Sequence, residues 1–175
     1  MLKILIIIIL MIVGIQDTPP KRGTIDKHFI PYIEQWNQDA RRFLGKDYKM
    51  PTITIVFGKV DAFKLSMAGR PIGVCSPIPF DRFIMIDREY WDTISTQSRE
   101  QLLFHELAHC TLSRLFHTKD MISEYRPISI MHPYLIMSGT TYYIYREYYI
   151  KELFTKNIGR TYWHAVITQI KNLIY

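Results

Sequence analysis

Apolar positions along the chain recur with two periods, and the change of period marks out the elements. From Asp26 onward Phe29, Ile33, Trp36, Ala40, Phe43 and Leu44 follow mostly at three- and four-residue steps, which predicts an amphipathic helix. Thr24 or Asp26 is its candidate cap and Gly45 its stop. Thr52-Ile53-Thr54-Ile55-Val56-Phe57 alternates and is rich in β-branched residues, so it predicts a strand that Gly58 ends. Residues 58–82 hold several Gly and Pro and predict loops around a short strand near Ile72 to Cys75. Phe83-Ile84-Met85-Ile86-Asp87 reads as a second strand. After Trp91, Ser95 or Ser98 opens a helix that carries Leu102, Leu103, His105, Glu106 and His109. Pro127 to Pro133 predicts a turn region. Two more helices are expected, about Thr140 to Phe154 and Arg160 to Leu173, the second with Trp163, Val166, Ile167 and Ile170 on one face.

The amino terminus follows neither period. Lys3 precedes an aliphatic run from Ile4 to Ile15, and Gln16-Asp17-Thr18-Pro19-Pro20 ends it. That order is the pattern of a signal-peptide core. The run is shorter than the ~20 residues that span a bilayer. It has no Ala-x-Ala cleavage pattern, and no Cys follows it for a lipid anchor. Residues 1–18 are therefore expected to be a signal peptide or an N-terminal membrane anchor, Ile4 to Ile15 being the tether in the second case. Residues 19–175 are expected to form a single domain of an exported protein, whether secreted, periplasmic or at the cell surface.

Composition sharpens this picture only a little. With 48% hydrophobic and 22% charged residues the chain is of globular type and can bury a core. Its formal net charge of +6 would suit an acidic partner, but the basic residues are scattered. Only short pairs such as Lys21-Arg22 and Arg41-Arg42 occur, so no nucleic-acid partner is expected. The two cysteines, Cys75 and Cys110, suit an exported chain if they pair; two free buried thiols are the alternative.

The chemistry sits in His105-Glu106-Leu107-Ala108-His109, an H-E-x-x-H motif inside a predicted helix. Positions four apart lie about 40° apart around a helix, so both imidazoles face one point and can ligate one Zn²⁺. Glu106 stands beside the first ligand, where it can take a proton from a metal-activated water. A catalytic zinc wants three protein ligands and an open position.

From these residues the chain resembles the metzincin-type metallopeptidases. The zinc helix and Ser129-Ile130-Met131-His132-Pro133 look like their zinc motif and Met-turn. Gly73-Val74-Cys75, Ile84 to Asp87, Trp91, His105 to Cys110, Ser129 to Met131 and Arg146-Glu147-Tyr148-Tyr149 resemble small secreted bacterial zinc peptidases of matrixin-like type, over about residues 70 to 155. The resemblance implies an α+β zincin-like fold. A small mixed sheet is backed by a long helix and crossed by the zinc helix under a cleft, with a Met-turn and C-terminal helices. It also implies Met131 as an apolar floor under the ligands, and a Tyr near the turn, here Tyr134, beside the substrate.

One departure bears on the third ligand. The family places a Gly three residues after the second His and a His three further on, where this chain has Leu112 and Leu115. On a continuous helix His117 would lie about 12 Å along the axis from His109, out of reach of a shared metal. His117 is the expected third ligand if the chain leaves the helix between Leu112 and Phe116, a stretch with neither Gly nor Pro. Asp120, Glu124, His132 and, in a gluzincin-like arrangement, Glu147 are the alternatives. A Cys75–Cys110 bridge would pin the zinc helix to the sheet. The function expected is a zinc-dependent endopeptidase acting on protein or peptide substrates. The rival is a non-catalytic structural or interaction protein, a surface or virion component that keeps a zincin fold.

Overall fold

A computed structural model describes residues 20–60, 72–78, 81–135 and 137–156. The expected leader over residues 1–18 and the expected helix over Arg160 to Leu173 lie outside them. The first helix, α1 (Ile30–Leu44), is preceded by a 3-10 turn at Lys27–Phe29. The Asp26 carboxylate accepts from the His28 N–H and so caps that turn rather than α1 itself. Pro31 falls in the first turn of α1, where its missing N–H is no loss, and Gly45 ends the helix at φ 109°.

Three strands form a mixed sheet: β1 (Ile53–Gly58), β2 (Gly73–Ser76) and β3 (Arg82–Asp87), in the order β1-β3-β2. β1 runs parallel to β3 with Ile55 beside Ile84, and β2 runs antiparallel to β3 with Cys75 beside Ile84. Among the described residues β2 is therefore an edge strand. The disulfide Cys75–Cys110 fastens it to the next long helix, with the two Cα atoms 5.8 Å apart. Of the two states open for the cysteines, the bonded one is found.

Asp87 ends β3 and caps α2 (Arg88–Thr93), a short helix the periodicity did not signal, by accepting from the Tyr90 N–H. Its purpose in packing is Trp91, which is buried edge-on to Phe29 at 5.0 Å between ring centres. α3 (Thr96–Thr111) follows, capped by Ser95 rather than Ser98, whose N–H the Ser95 hydroxyl accepts. It buries Leu102, Leu103, Phe104, Leu107, Ala108 and Cys110, more than one face, as a helix through the core must. Trp36 of α1 packs edge-on against Phe104, 5.1 Å away.

Two expectations for the C-terminal half need correction. The region expected to be a turn from Pro127 starts inside a hairpin of β4 (Met121–Ser123) and β5 (Arg126–Pro127). The helix expected over Thr140 to Phe154 is two, α4 (Gly139–Ile144) and α5 (Arg146–Thr155), broken at Tyr145 with φ −106° and ψ 15°. Tertiary contacts account for the break. The Arg126 guanidinium lies 3.6 Å from the Tyr145 ring centre. Arg146 reaches back to Asp39 of α1 and Glu100 of α3, at 2.6 Å each.

Candidate metal centre

The end of α3 decides whether the third histidine can arrive. The helix stops at Leu112, and Ser113 takes φ 56°, the left-handed region that serine seldom enters. Leu112 and Arg114 N–H groups both donate to the Ala108 carbonyl, at 3.1 and 3.2 Å, closing the helix end. A non-glycine residue there is strained by about 1–3 kcal/mol and persists only where its surroundings hold it. Arg114 supplies that hold. It is buried, and its guanidinium forks onto Glu152 of α5 at 2.7 and 3.2 Å. The Ser129 hydroxyl donates to the same carboxylate at 2.8 Å and accepts from the Met131 N–H at 3.1 Å.

With the chain turned, His117 returns to the motif. The Nε2 atoms of His105, His109 and His117 form a triangle with sides of 3.0, 3.1 and 3.1 Å. Among the described residues no other group of three His, Cys, Asp or Glu side chains converges in this way. The four alternative ligands do not join it. Asp120 is bonded to Thr118 and Glu147 to Arg42, Glu124 is exposed, and His132 engages the backbone of Tyr134.

Two of the three histidines are held in one tautomer. His105 donates from Nδ1 to the Ile130 carbonyl at 2.9 Å, and His109 donates from Nδ1 to the Arg114 carbonyl. Burial, with the neighbouring His109 adding to it, pushes His105 down to about 3. Burial and the neighbouring His117 push His109 down to about 4. His117 is lowered too, by burial and then by His132. Around neutral pH His105 and His109 are therefore uncharged, and their Nε2 lone pairs face one another across 3.0 Å. Such lone pairs repel unless a cation lies between them. The triangle is small enough for one ion at the ~2.0–2.1 Å zinc–nitrogen distance to touch all three nitrogens. The residues present fit a metal.

Glu106 lies on the inner side of the same helix turn and is buried, which pushes its carboxyl up to about 8. A divalent cation close by would draw it back down. Its side chain rests against the backbone of Gly73 on β2. Both elements face a cleft of about 730 Å³ that reaches from Gly73 and Val74 past the three histidines to Tyr134 and Leu135. Met131 is buried in the turn behind. This turn holds two of the histidines in place: the Ile130 carbonyl orients His105, and the Met131 carbonyl accepts from Thr118, next to His117, at 3.0 Å.

Sequence reasoning brought together His105, Glu106, His109 and His117 but missed Arg114, Glu152 and Gly73. A charged residue between Leu112 and Leu115-Phe116 was the available signal for Arg114, and a glycine inside a strand was the signal for Gly73.

Converging neutral imidazoles at a cleft, with a buried carboxyl on the adjoining residue, define a metal-binding site. Residues 15–128, more than half of the chain, match a family described as putative phage metallopeptidase, and that span holds His105, Glu106, His109 and His117. The chain belongs to this family, and its class is that of the metal-dependent peptidases. No curated protein and no solved structure matches it.

Proposed function

We propose that the protein is a zinc-dependent endopeptidase of metzincin-like build. The observation that carries the reading is the triangle of Nε2 atoms beside a buried carboxyl, open to a cleft of about 730 Å³. His105, His109 and His117 would hold the ion. A bound Zn²⁺ supplies Lewis acidity to the attacking water and to the scissile carbonyl. The remaining steps belong to the chain's own residues. Glu106 takes the proton of the attacking water on a carboxylate oxygen, then delivers it to the leaving amine nitrogen. The Ile130 and Arg114 carbonyls keep two imidazoles turned with Nε2 toward the cleft and raise their basicity. β2 presents the sheet edge along the cleft, where an extended peptide can add its own backbone hydrogen bonds.

The proposal extends to place. A leader over residues 1–18, cleaved or kept as a tether, would export the chain. The Cys75–Cys110 bond supports this, because disulfides persist in oxidising compartments. A purely structural role leaves unexplained why a carboxyl is buried beside the histidines, since a scaffold needs no base.

Metal content of the purified protein, measured beside Glu106→Ala and His117→Ala with casein hydrolysis assayed with and without chelator, tests the reading. Expected are one zinc per chain, hydrolysis abolished by chelator, and metal retained in Glu106→Ala with a rate lower by ~10²–10⁴. His117→Ala should lose metal. A protein that binds no metal, or a Glu106→Ala variant as active as the wild type, overturns it.

A further inference from the structure

β2 approaches α3 so closely that a side chain at position 73 would displace that of Glu106. A Cβ placed on Gly73 would stand 2.7 Å from Oε1 of Glu106, 3.0 Å from its Cγ and 3.1 Å from its Cδ. The backbone of Gly73 lies outside the left-handed region, so an alanine could adopt it. The three atoms its Cβ would meet first all belong to the Glu106 side chain.

The strand cannot back away. Gly73 pairs with Ile86 of β3, and the Asp87 N–H donates to the Ile72 carbonyl at 2.9 Å. Two residues on, Cys75 is bonded to Cys110. Two residues of strand rise about 6.7 Å and four residues of helix about 6 Å. Gly73–Glu106 and Cys75–Cys110 are thus successive rungs between the same two elements, one a contact and one a covalent bond. The part free to yield is the end of the Glu106 side chain.

We propose that Gly73 is the positioning residue for Glu106: the bare backbone of the edge strand, held at a set distance by the disulfide one rung away, is the wall that keeps the carboxyl beside the three histidines. The inference rests on the reading of Glu106 as the general base. Gly73→Ala would not break the fold, because a flexible side-chain end gives way to it, but it would move the base.

The test uses the full metal-loaded chain as wild type, Gly73→Ala, Glu106→Ala and the double variant. Gly73→Ala should keep its zinc and lose at least about tenfold in kcat, part of the ~10²–10⁴ that a placed base contributes, with KM within about twofold. It should also lower the urea midpoint in the wild-type background but not in Glu106→Ala, where the added methyl occupies vacated space. An unchanged kcat, or a raised KM with kcat intact, overturns the proposal. So does a midpoint shift that is equal in both backgrounds. If the wild type hydrolyses nothing, the reading of Glu106 as base fails separately. The midpoints then still decide the contact: unequal shifts support it and equal shifts overturn it.

Discussion

Arg114→Met tests how the third histidine is brought home. Arg114 is 2% exposed, and its guanidinium donates to Glu152 at 2.7 and 3.2 Å, to the Leu153 carbonyl at 3.3 Å and to Ser129 at 3.4 Å. Methionine keeps much of the apolar stem but leaves the Glu152 carboxylate with Ser129 and with Lys156, whose Nζ is 3.9 Å away. Removing one member of a buried pair costs about 3–5 kcal/mol. The partial exposure of Glu152 and the nearby Lys156 put the expected loss at the lower end, ~3 kcal/mol. Arg114→Met combined with Glu152→Leu removes both charges. That double variant should stand within about 1–2 kcal/mol of the wild type, the remainder being the partners lost by Ser129 and Leu153. Urea unfolding of the four metal-free proteins reads the cycle directly. The single variant should also bind zinc ~10–100-fold more weakly, because the Arg114 carbonyl that orients His109 follows Ser113 in the turn. A single-variant loss below ~1 kcal/mol, or a double equal to the sum of the singles, would refute the reasoning.

Two further outcomes follow from the same structure. Replacing both Cys75 and Cys110 by Ala frees a loop with a sequence separation of 35. By loop entropy this should cost ~3–4 kcal/mol, and calorimetry should show a Tm lower by roughly 6–16 °C; a shift near zero would mean that the unfolded chain gains nothing from its release. The metal-free protein should also respond to pH through its buried groups. Glu106, raised from 4.5 to about 8, keeps its proton when folded, so its contribution is full below 4.5 and is lost as pH rises through about 8. His105 and His109, lowered from 6.5 to about 3 and about 4, contribute fully above 6.5 and lose that as pH falls through those values. Glu106→Gln should flatten the decline of the urea midpoint between pH 4.5 and about 8 and leave the loss below pH 4.5 alone. An unchanged slope over that range would show that another group is responsible.

The elements that were legible in the chain are those whose signal is local. α1 and α3 announce themselves by apolar spacing, and Ser95, Asp26 and Gly45 by cap chemistry, because each needs only its neighbours within a turn. α2 was not legible: only its first residues and Trp91 distinguish it from a loop. The break at Tyr145 was hidden as well. Its causes, Arg126 over the ring and Arg146 held by Asp39 and Glu100, are distant in sequence. Likewise the hairpin of β4 and β5 pairs exposed Met121 and Ser123 with no alternation to betray it.

The sequence by itself determined the motif. Four-residue spacing on a helix puts His105 and His109 on one face whatever surrounds them, and it sets Glu106 next to the first. It determined too that His117 could join them only if the chain left the helix between Leu112 and Phe116. Only the tertiary structure decided that the turn is made at Ser113, without glycine, because the force that holds it is long-range. Arg114 is buried against Glu152 from α5 and Ser129 from the turn, residues whose proximity no local pattern encodes. The same holds for Gly73, which reads as a weak point in a strand until the fold lays it against Glu106. Local spacing specifies which groups can meet; packing between distant segments specifies where they stop.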